Sequence, residues 1–504
     1  MTENTTEKKK SLKIISGNTA DSSCNTDKSA DIAGAHCGSS HQVHRKPGLT
    51  HSGEFRGTAA LVTLGCAKNQ VDSEVMLGVL AKRGFETVSE LNNADVIVVN
   101  TCGFLESSSR ESINTILECA DYKKKGRLKR LIVAGCLVER HKEDLKASMP
   151  EVDAFITTSE LLNVGDVAVG DSNDLLENAG RAYFLYDDQM PRKLSTPSHF
   201  AYIKISEGCN RPCTYCIIPK IRGVMRSRTV DSVIAEARSL ADQGVKELNL
   251  VAQDLTSYGT DIKGPKLSHL LRELNKVDGI SWIRLLYAYP IGVDEELIDT
   301  IMESEKIVKY LDIPLQHVSD AVLQSMKRPL GRLAPRPITE FIKGRAPDLT
   351  IRTTFIVGFP GETDQHAEEL KSFVSEGHFG SVGVFTYSPE QGTPSYEYPD
   401  QVSEKDKKKR RDMVMKAQSK VVDKALQGFI GKTIPVLVEG PHEESDLLWS
   451  ARATFQAPEV DGSVIINDVA ENIALESLNS LKGNFYNVRV TEISGYDLVG
   501  ELVS

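Results

Sequence analysis

From Thr58 onward, short runs of β-branched and aliphatic residues alternate with longer stretches whose apolar positions recur at helical spacing. Ala60–Leu64, Asp95–Val99 and Arg130–Val133 are strand-like, and stretches near Val71–Arg83, Ser107–Ala120 and Val138–Ser148 are helix-like. This alternation predicts an α/β unit with a doubly wound parallel sheet, because parallel strands need crossover helices. A second series follows, with strands predicted over 200–206, 247–252, 282–288, 309–314, 351–357 and 382–387. Helical patterns at Val230–Asp242, Leu267–Asn275, Asp294–Glu303, Ala321–Lys327 and Asp364–Ser375 separate them. Six such units predict a partial TIM-like (β/α)6 barrel, open on one side, with its chemistry at the carboxyl ends of the strands. A charged helical segment opens at Glu404 and runs to about Gln427. After Gly431, short strands at 434–439, 448–453, 464–467, 484–493 and 497–503 predict a small all-β barrel.

These patterns divide the chain into an N-terminal domain at 55–170, a polar linker or crossing segment at 171–198, a central barrel at 199–430 and a C-terminal domain at 431–504. Residues 1–54 carry few large apolar side chains and are expected to be a disordered tail, since they cannot bury enough surface to offset the entropy of ordering. A length of 504 residues fits several cores rather than one. No apolar run approaches the ~20 residues of a membrane span, and the N-terminus lacks the apolar stretch of a secretory signal, so a cytoplasmic protein without a membrane partner is expected. The net charge of −10 gives no overall nucleic-acid signature. Its distribution says more. Residues 431–504 hold four basic residues against twelve acidic ones, a formal charge of −8, a surface that repels a polyanion and attracts a basic partner. The basic run after Glu404 reads as a solvated helix face in preference to an RNA contact.

The candidate chemistry is in the cysteines. Cys209, Cys213 and Cys216 follow the first barrel strand within eight residues, so a short loop brings three sulfurs together at small entropic cost. A structural zinc normally takes four protein ligands. Three thiolates without a fourth nearby therefore suggest an iron–sulfur cube with one iron left open, the alternatives being a zinc loop or buried thiols. Cys66, Cys102 and Cys136 each follow one of the three N-terminal strands, and the carboxyl ends of such strands form one edge. They are expected to converge as a second trio, Gly65 and Gly135 letting a cluster approach the backbone; buried small side chains are the alternative. Cys119 reads as packing, and Cys24 and Cys37 in the tail as unliganded thiols. At the barrel strand ends, Gln253 and Asp254 either bind a ligand or cap the strand. His317 reads as a hydrogen-bonded scaffold residue. Gly358, in Gly358-Phe-Pro-Gly-Glu-Thr363, lacks the phosphate-loop ending and is either a turn or a point of close backbone approach to a ligand.

The spacing Cys209-Asn-Arg-Pro-Cys213-Thr-Tyr-Cys216, with Ser206-Glu-Gly before it and Ile217-Ile-Pro-Lys-Ile-Arg-Gly-Val-Met-Arg-Ser-Arg228 after it, resembles the radical S-adenosylmethionine (SAM) methylthiotransferases from about residue 57 to the C-terminus. Gly65-Cys66-Ala-Lys-Asn-Gln-Val-Asp-Ser-Glu74 and Asn100-Thr-Cys102-Gly-Phe resemble that family's N-terminal motifs, and the C-terminal strands resemble its TRAM module. The resemblance implies two [4Fe-4S] clusters, one on each trio, with SAM bound at the open iron of the first and sulfur carried by the second. It also implies a SAM-binding role for Tyr215, beside the adenine, packing being the other reading; Gln253, Asp254 and Gly358, read as strand-end residues, would then be candidates to bind SAM. The stretches Ser198–Cys209 and Leu248–Gly259 resemble the branch that puts a methylthio group on the β-carbon of an aspartate in the twelfth small-subunit ribosomal protein. A basic ribosomal substrate and a protein or chemical reductant would then be its partners, with RNA binding secondary. Methylthiolation of a transfer RNA adenosine, and a non-enzymatic iron–sulfur scaffold, are the alternative functions.

Overall fold

The structure is a computed structural model that describes residues 55–170, 185–470 and 481–503. The expected tail, with Cys24 and Cys37, and residues 171–184 of the expected linker lie outside the described residues.

The N-terminal sheet comprises β1 (Gly57–Thr63), β2 (Phe85–Thr87), β3 (Val96–Thr101), β4 (Arg130–Gly135) and β5 (Ala154–Ile156). All pairings are parallel, in the order β2-β1-β3-β4-β5. Successive side chains point to opposite faces. Leu61, Val98 and Ile132 therefore pack beneath helix α1 (Ala67–Lys82), while Val62, Val99 and Val133 pack on the other side. Both faces are covered, which is why these strands read as unbroken apolar runs. The three-residue strands β2 and β5 escaped the sequence pattern because they are too short to display a period of two.

The central body has strands β6 (Phe200–Lys204), β9 (Glu247–Val251), β10 (Trp282–Leu286), β11 (Ile307–Asp312), β12 (Thr350–Val357) and β13 (Ser381–Thr386), with a small ribbon of β7 (Ser206–Glu207) and β8 (Arg226–Ser227) beside the cysteine loop. The six strands pair in the parallel order β13-β12-β11-β10-β9-β6, an open partial barrel. One helix, Pro335–Arg345, was not anticipated. It opens at Pro335 and Pro337, since a helix's first turn has no intrahelical partners for its N–H groups and tolerates proline there.

A closed barrel of β14 (Thr433–His442), β15 (Ser445–Ala453), β16 (Val464–Val469), β17 (Phe485–Ser494) and β18 (Asp497–Val503) follows the helix Glu404–Gln427. It seals one end of the partial barrel. Phe200, Trp282 and Tyr310, all on the inward face, pack with Leu437, Ala457 and Phe485. At the same junction the fully buried Glu247 accepts from Arg284 Nε at 2.9 Å and pairs with Arg452, which also donates to Glu439 at 2.7 Å. Burial alone would raise the Glu247 carboxyl, but the two guanidiniums outweigh it and hold it at about 2. That stability is present above the unfolded value of about 4.3 and is lost as the pH falls towards 2. Arg452→Met should therefore cost about 3 kcal/mol at neutral pH. Limited proteolysis should release the C-terminal barrel earlier, and the deficit should shrink in acid.

Residues 185–198 are the crossing segment. Arg192 donates to Glu74 of α1 at 2.6 and 2.8 Å and to the Tyr202 carbonyl at 2.6 Å, and pairs with Glu236 of the barrel. Two domains thus close on one buried guanidinium. For the same reason α1 buries Asn69, Asp72, Ser73 and Glu74, polar residues that look solvent-facing by periodicity.

Candidate functional site

The loop from β7 to β8 carries the first trio. Gly208 starts it at φ +84°, where a Cβ would lie 2.2 Å from the Val224 carbonyl, so only glycine allows the loop to fold back on itself. Cys209 N–H then donates to the Gly223 carbonyl at 3.1 Å, and Cys216 N–H to the Cys213 carbonyl at 3.2 Å. Thr214 anchors the loop to the barrel, its N–H on the Met326 carbonyl and its hydroxyl on the Ser325 carbonyl. Arg211 ties it to the next strand end by donating to Asp254 at 2.6 Å and to Ser257 at 2.8 Å. Burial pushes the Cys216 thiol up to about 12, with Cys213 and Cys209 adding to the rise, and burial raises Cys209 as well.

The second trio forms at the carboxyl edge of the N-terminal sheet. Cys66 precedes α1, Cys102 follows β3, and Cys136 opens the helix Cys136–Ser148. Burial pushes Cys136 up to about 12, Arg222 opposing and Cys102 and Cys66 reinforcing; Cys102 is raised by the same burial and feels Cys66. The thiols of each trio therefore lie within range of one another. Burial raises Cys102, Cys136, Cys209 and Cys216, and iron bound at these sulfurs would supply the charge that favours their thiolates. Among the described residues, no three Cys, His, Asp or Glu side chains close on a single-ion point. A cube does not require it, since each thiolate binds a different iron.

The expected reason for the glycines is corrected. A Cβ on Gly65 would lie 2.9 Å from Cys102 Cβ, and one on Gly135 would lie 2.4 Å from Asn100 Oδ1. Both make room for neighbouring protein atoms rather than for a cluster. Cys119 packs in the core below this edge, as expected of it.

The two trios share a wall. Cys136 packs against Ile217 and Ile221, which follow Cys216 directly in sequence. Arg222, 5% exposed, donates to Cys136 Sγ at 3.2 Å, to Asn69 Oδ1 at 2.5 Å and to Asp72 at 2.7 Å, and lies 3.3 Å from Glu207. Lys204, equally buried, completes a square of two cations and two anions with Asp72 and Glu207. On the far side, Arg140 donates to Glu390 at the end of β13 at 2.8 Å. The cysteine-bearing edge of the first domain therefore lies over the mouth of the barrel. Sequence reading missed Arg222, because nothing local marks an arginine whose partners lie in another domain.

The residues expected to meet SAM divide. Gln253 donates to Glu207 at 2.5 Å and its Oε1 has no partner; Gln316 Oε1 and Arg328 Nε are likewise buried without one among the described residues. Such orphaned atoms at strand ends fit a polar ligand like SAM. Arg328 also lies 3.8 Å from Cys213 Sγ and 4.1 Å over the Tyr289 ring. Asp254 is corrected. Its carboxylate is taken up by Arg211, Ser257 at 2.6 Å and Thr256 at 2.7 Å, so it braces the cysteine loop. Gly358 is corrected too. At φ +74° its N–H is held by Glu362, and a Cβ would lie 2.2 Å from Lys407 Cγ, so a side chain covers the face assigned to ligand backbone contact. Tyr215 packs with Val322, Met326, Phe359 and Tyr387. His317 is a buried scaffold residue that accepts from Ser319 N–H at 3.0 Å, and burial lowers it to about 3.

Residues 58–157 match the model of the Uncharacterized protein family UPF0004, residues 203–374 that of the Radical SAM superfamily, and residues 430–503 that of the TRAM domain. The chain is 45% identical over 455 residues to the ribosomal protein uS12 methylthiotransferase RimO of Geotalea uraniireducens, covering 90% of this chain and 100% of that one. With the RimO of Syntrophotalea carbinolica it shares 46% identity, over 88% of this chain and 96% of that one. A solved radical SAM methyltransferase, TsrM from Kitasatospora setae, superposes with a TM-score of 0.49 at 15% identity, over 68% of this chain and 77% of that one.

Proposed function

The chain belongs to the radical SAM methylthiotransferases, in the branch of the ribosomal protein uS12 enzymes, and from that premise we infer that it is a transferase adding a methylthio group to the β-carbon of an aspartate in uS12. Its cofactors are SAM and [4Fe-4S] clusters. When bound, they supply what side chains cannot, a radical able to break an unactivated C–H bond, together with the sulfur and methyl to be installed. The protein's share is binding, orientation and exclusion of water.

We assign Cys209, Cys213 and Cys216 to the cluster that engages SAM, and Cys66, Cys102 and Cys136 to the one that carries sulfur. Asp254, through Arg211, and Thr214, through its two carbonyl partners, hold the first loop rigid. Gln253, Gln316 and Arg328 turn unpartnered polar atoms to SAM. The observation that carries the reading is Arg222, which follows the loop of the first trio and donates to Cys136 of the second, so the two trios share a wall.

The charge of −8 on residues 431–504 favours a basic protein substrate over transfer RNA. Among the described residues no helix is long and apolar enough to cross a membrane; the ribosomal substrate places the enzyme in the cytoplasm in this reading, with a reductant to supply electrons. Anaerobic incubation of the reconstituted protein with a uS12 loop peptide, SAM and dithionite should give a methylthio mass gain on the aspartate. Deoxyadenosine without peptide modification, or modification of transfer RNA instead, would refute the assignment.

A further inference from the structure

Lys68 lies two residues beyond Cys66, in the first turn of α1, and is 8% exposed. Its ammonium stands 3.3 Å from the centroid of the Tyr287 ring, and it makes no ion pair or hydrogen bond with a described residue. A buried ammonium without a counter-ion is costly, and a ring face repays only part of that cost.

The surroundings increase the imbalance. The nearest acidic residue along α1, Asp72, is already engaged by Lys204 and Arg222, which together with Glu207 form a neutral square. The first turn of α1 holds no acidic residue, and Cys66 makes no side-chain cap bond, so the positive end of a 16-residue helix dipole adds to the Lys68 charge. Among the described residues, Lys68 is thus a cation without an anionic partner at the junction. Its ring partner, Tyr287, follows β10 at the mouth of the barrel and holds φ at +73°. A bulky aromatic in that region is strained, and such strain persists where the surroundings enforce it, typically at ligand sites. Tyr287 N–H donates to Asp312 at 3.2 Å, which holds the backbone of the residue beneath the ammonium.

We propose that Lys68, seated on Tyr287, binds the side-chain carboxylate of the substrate aspartate and thereby selects aspartate over its uncharged amide. The inference rests on the activity inferred above and names the group that reads the substrate there. A carboxylate is the anion the substrate brings. It is attached to the carbon that is modified, so a fixed cation would both desolvate the acid and set the position of the β-carbon. Lys68 is in these terms a specificity residue and takes no part in electron or hydrogen transfer.

The test uses the reconstituted holoenzyme and two labelled peptides of the uS12 loop, one with the target Asp and one with Asn, and reads affinity by fluorescence anisotropy. Wild type should bind the Asp peptide roughly 10- to 100-fold more tightly than the Asn peptide, the range of a hydrogen bond to a charged group. Lys68→Met should lose that preference by weakening Asp binding alone, and Lys68→Arg should restore part of it. Deoxyadenosine formation without peptide should be unchanged. Equal weakening of both peptides, or an intact preference in Lys68→Met, would each overturn the proposal. Absence of wild-type methylthiolation of the Asp peptide would remove the activity reading and this inference with it, whereas turnover with an unchanged preference removes the inference alone.

Discussion

Cys213→Ala is expected to abolish 5′-deoxyadenosine formation from SAM, whereas Cys102→Ala is expected to keep it and lose methylthiolation of the peptide. The two sulfurs sit on different sheets, Cys213 on the loop beside Arg328 and Cys102 after β3 beneath Gly65, so each substitution should disturb one trio. Neither should unfold the chain. Removing one sulfur costs on the order of 1 kcal/mol, well below the stability of a protein with cores of this size. Iron content should fall by about half in each variant, and circular dichroism should match wild type. The outcome that contradicts the division is equal loss of deoxyadenosine in both, which would mean that the trios act as one centre or that Cys102 supports the first loop structurally.

Most of the architecture was legible because the two periods were long and clean. Val230–Asp242 and Asp364–Ser375 are helices over the ranges their apolar spacing predicts. The five strands after Gly431 were each found to within a few residues, since alternation survives wherever one face of a small barrel is wet. What stayed hidden was pairing across domains. In α1 the residues Asn69, Asp72 and Glu74 carry the polar spacing of a solvent face, yet each meets a partner at a sequence separation above 100, in Arg222, Lys204 and Arg192. No local window can contain such a pair. The same blindness misjudged Asp254 and Gly358. A strand-end Asp and a Gly turn at a barrel mouth look alike whether they face a ligand or, as here, Arg211 and Lys407. The cysteines are brought together in the fold because one trio is local and the other sits at three strand ends on a single edge.

The chemistry and the fold meet at Arg222, and its replacement should show both. Arg222→Met leaves Asp72 and Glu207 buried with Lys204 as their one remaining cation, which should cost about 3–5 kcal/mol and loosen the first domain from the barrel. The pH dependence gives the sign. In wild type, burial works to raise Glu207, but Lys204 and Arg222 prevail and hold it well below the ordinary carboxylate range. Its contribution is therefore present above the unfolded value of about 4.3 and is lost only in acid. In the variant one of the two carboxylates has no cation of its own, so its folded value should rise above the unfolded one, and stability should be greatest below about pH 4.3 and fall as the pH rises. The deficit against wild type should thus widen between pH 5 and pH 8, as read from urea midpoints and from hydrogen exchange along α1. Arg222→Lys should recover charge but only part of the stability, because one ammonium cannot span Asp72, Asn69 and Cys136 as the planar fork does. It should also lower the potential of the cluster proposed for the second trio, by removing a hydrogen bond to Cys136. A deficit that does not change with pH would show that Arg222 acts as packing alone, and the two chambers would then need another bond to join them.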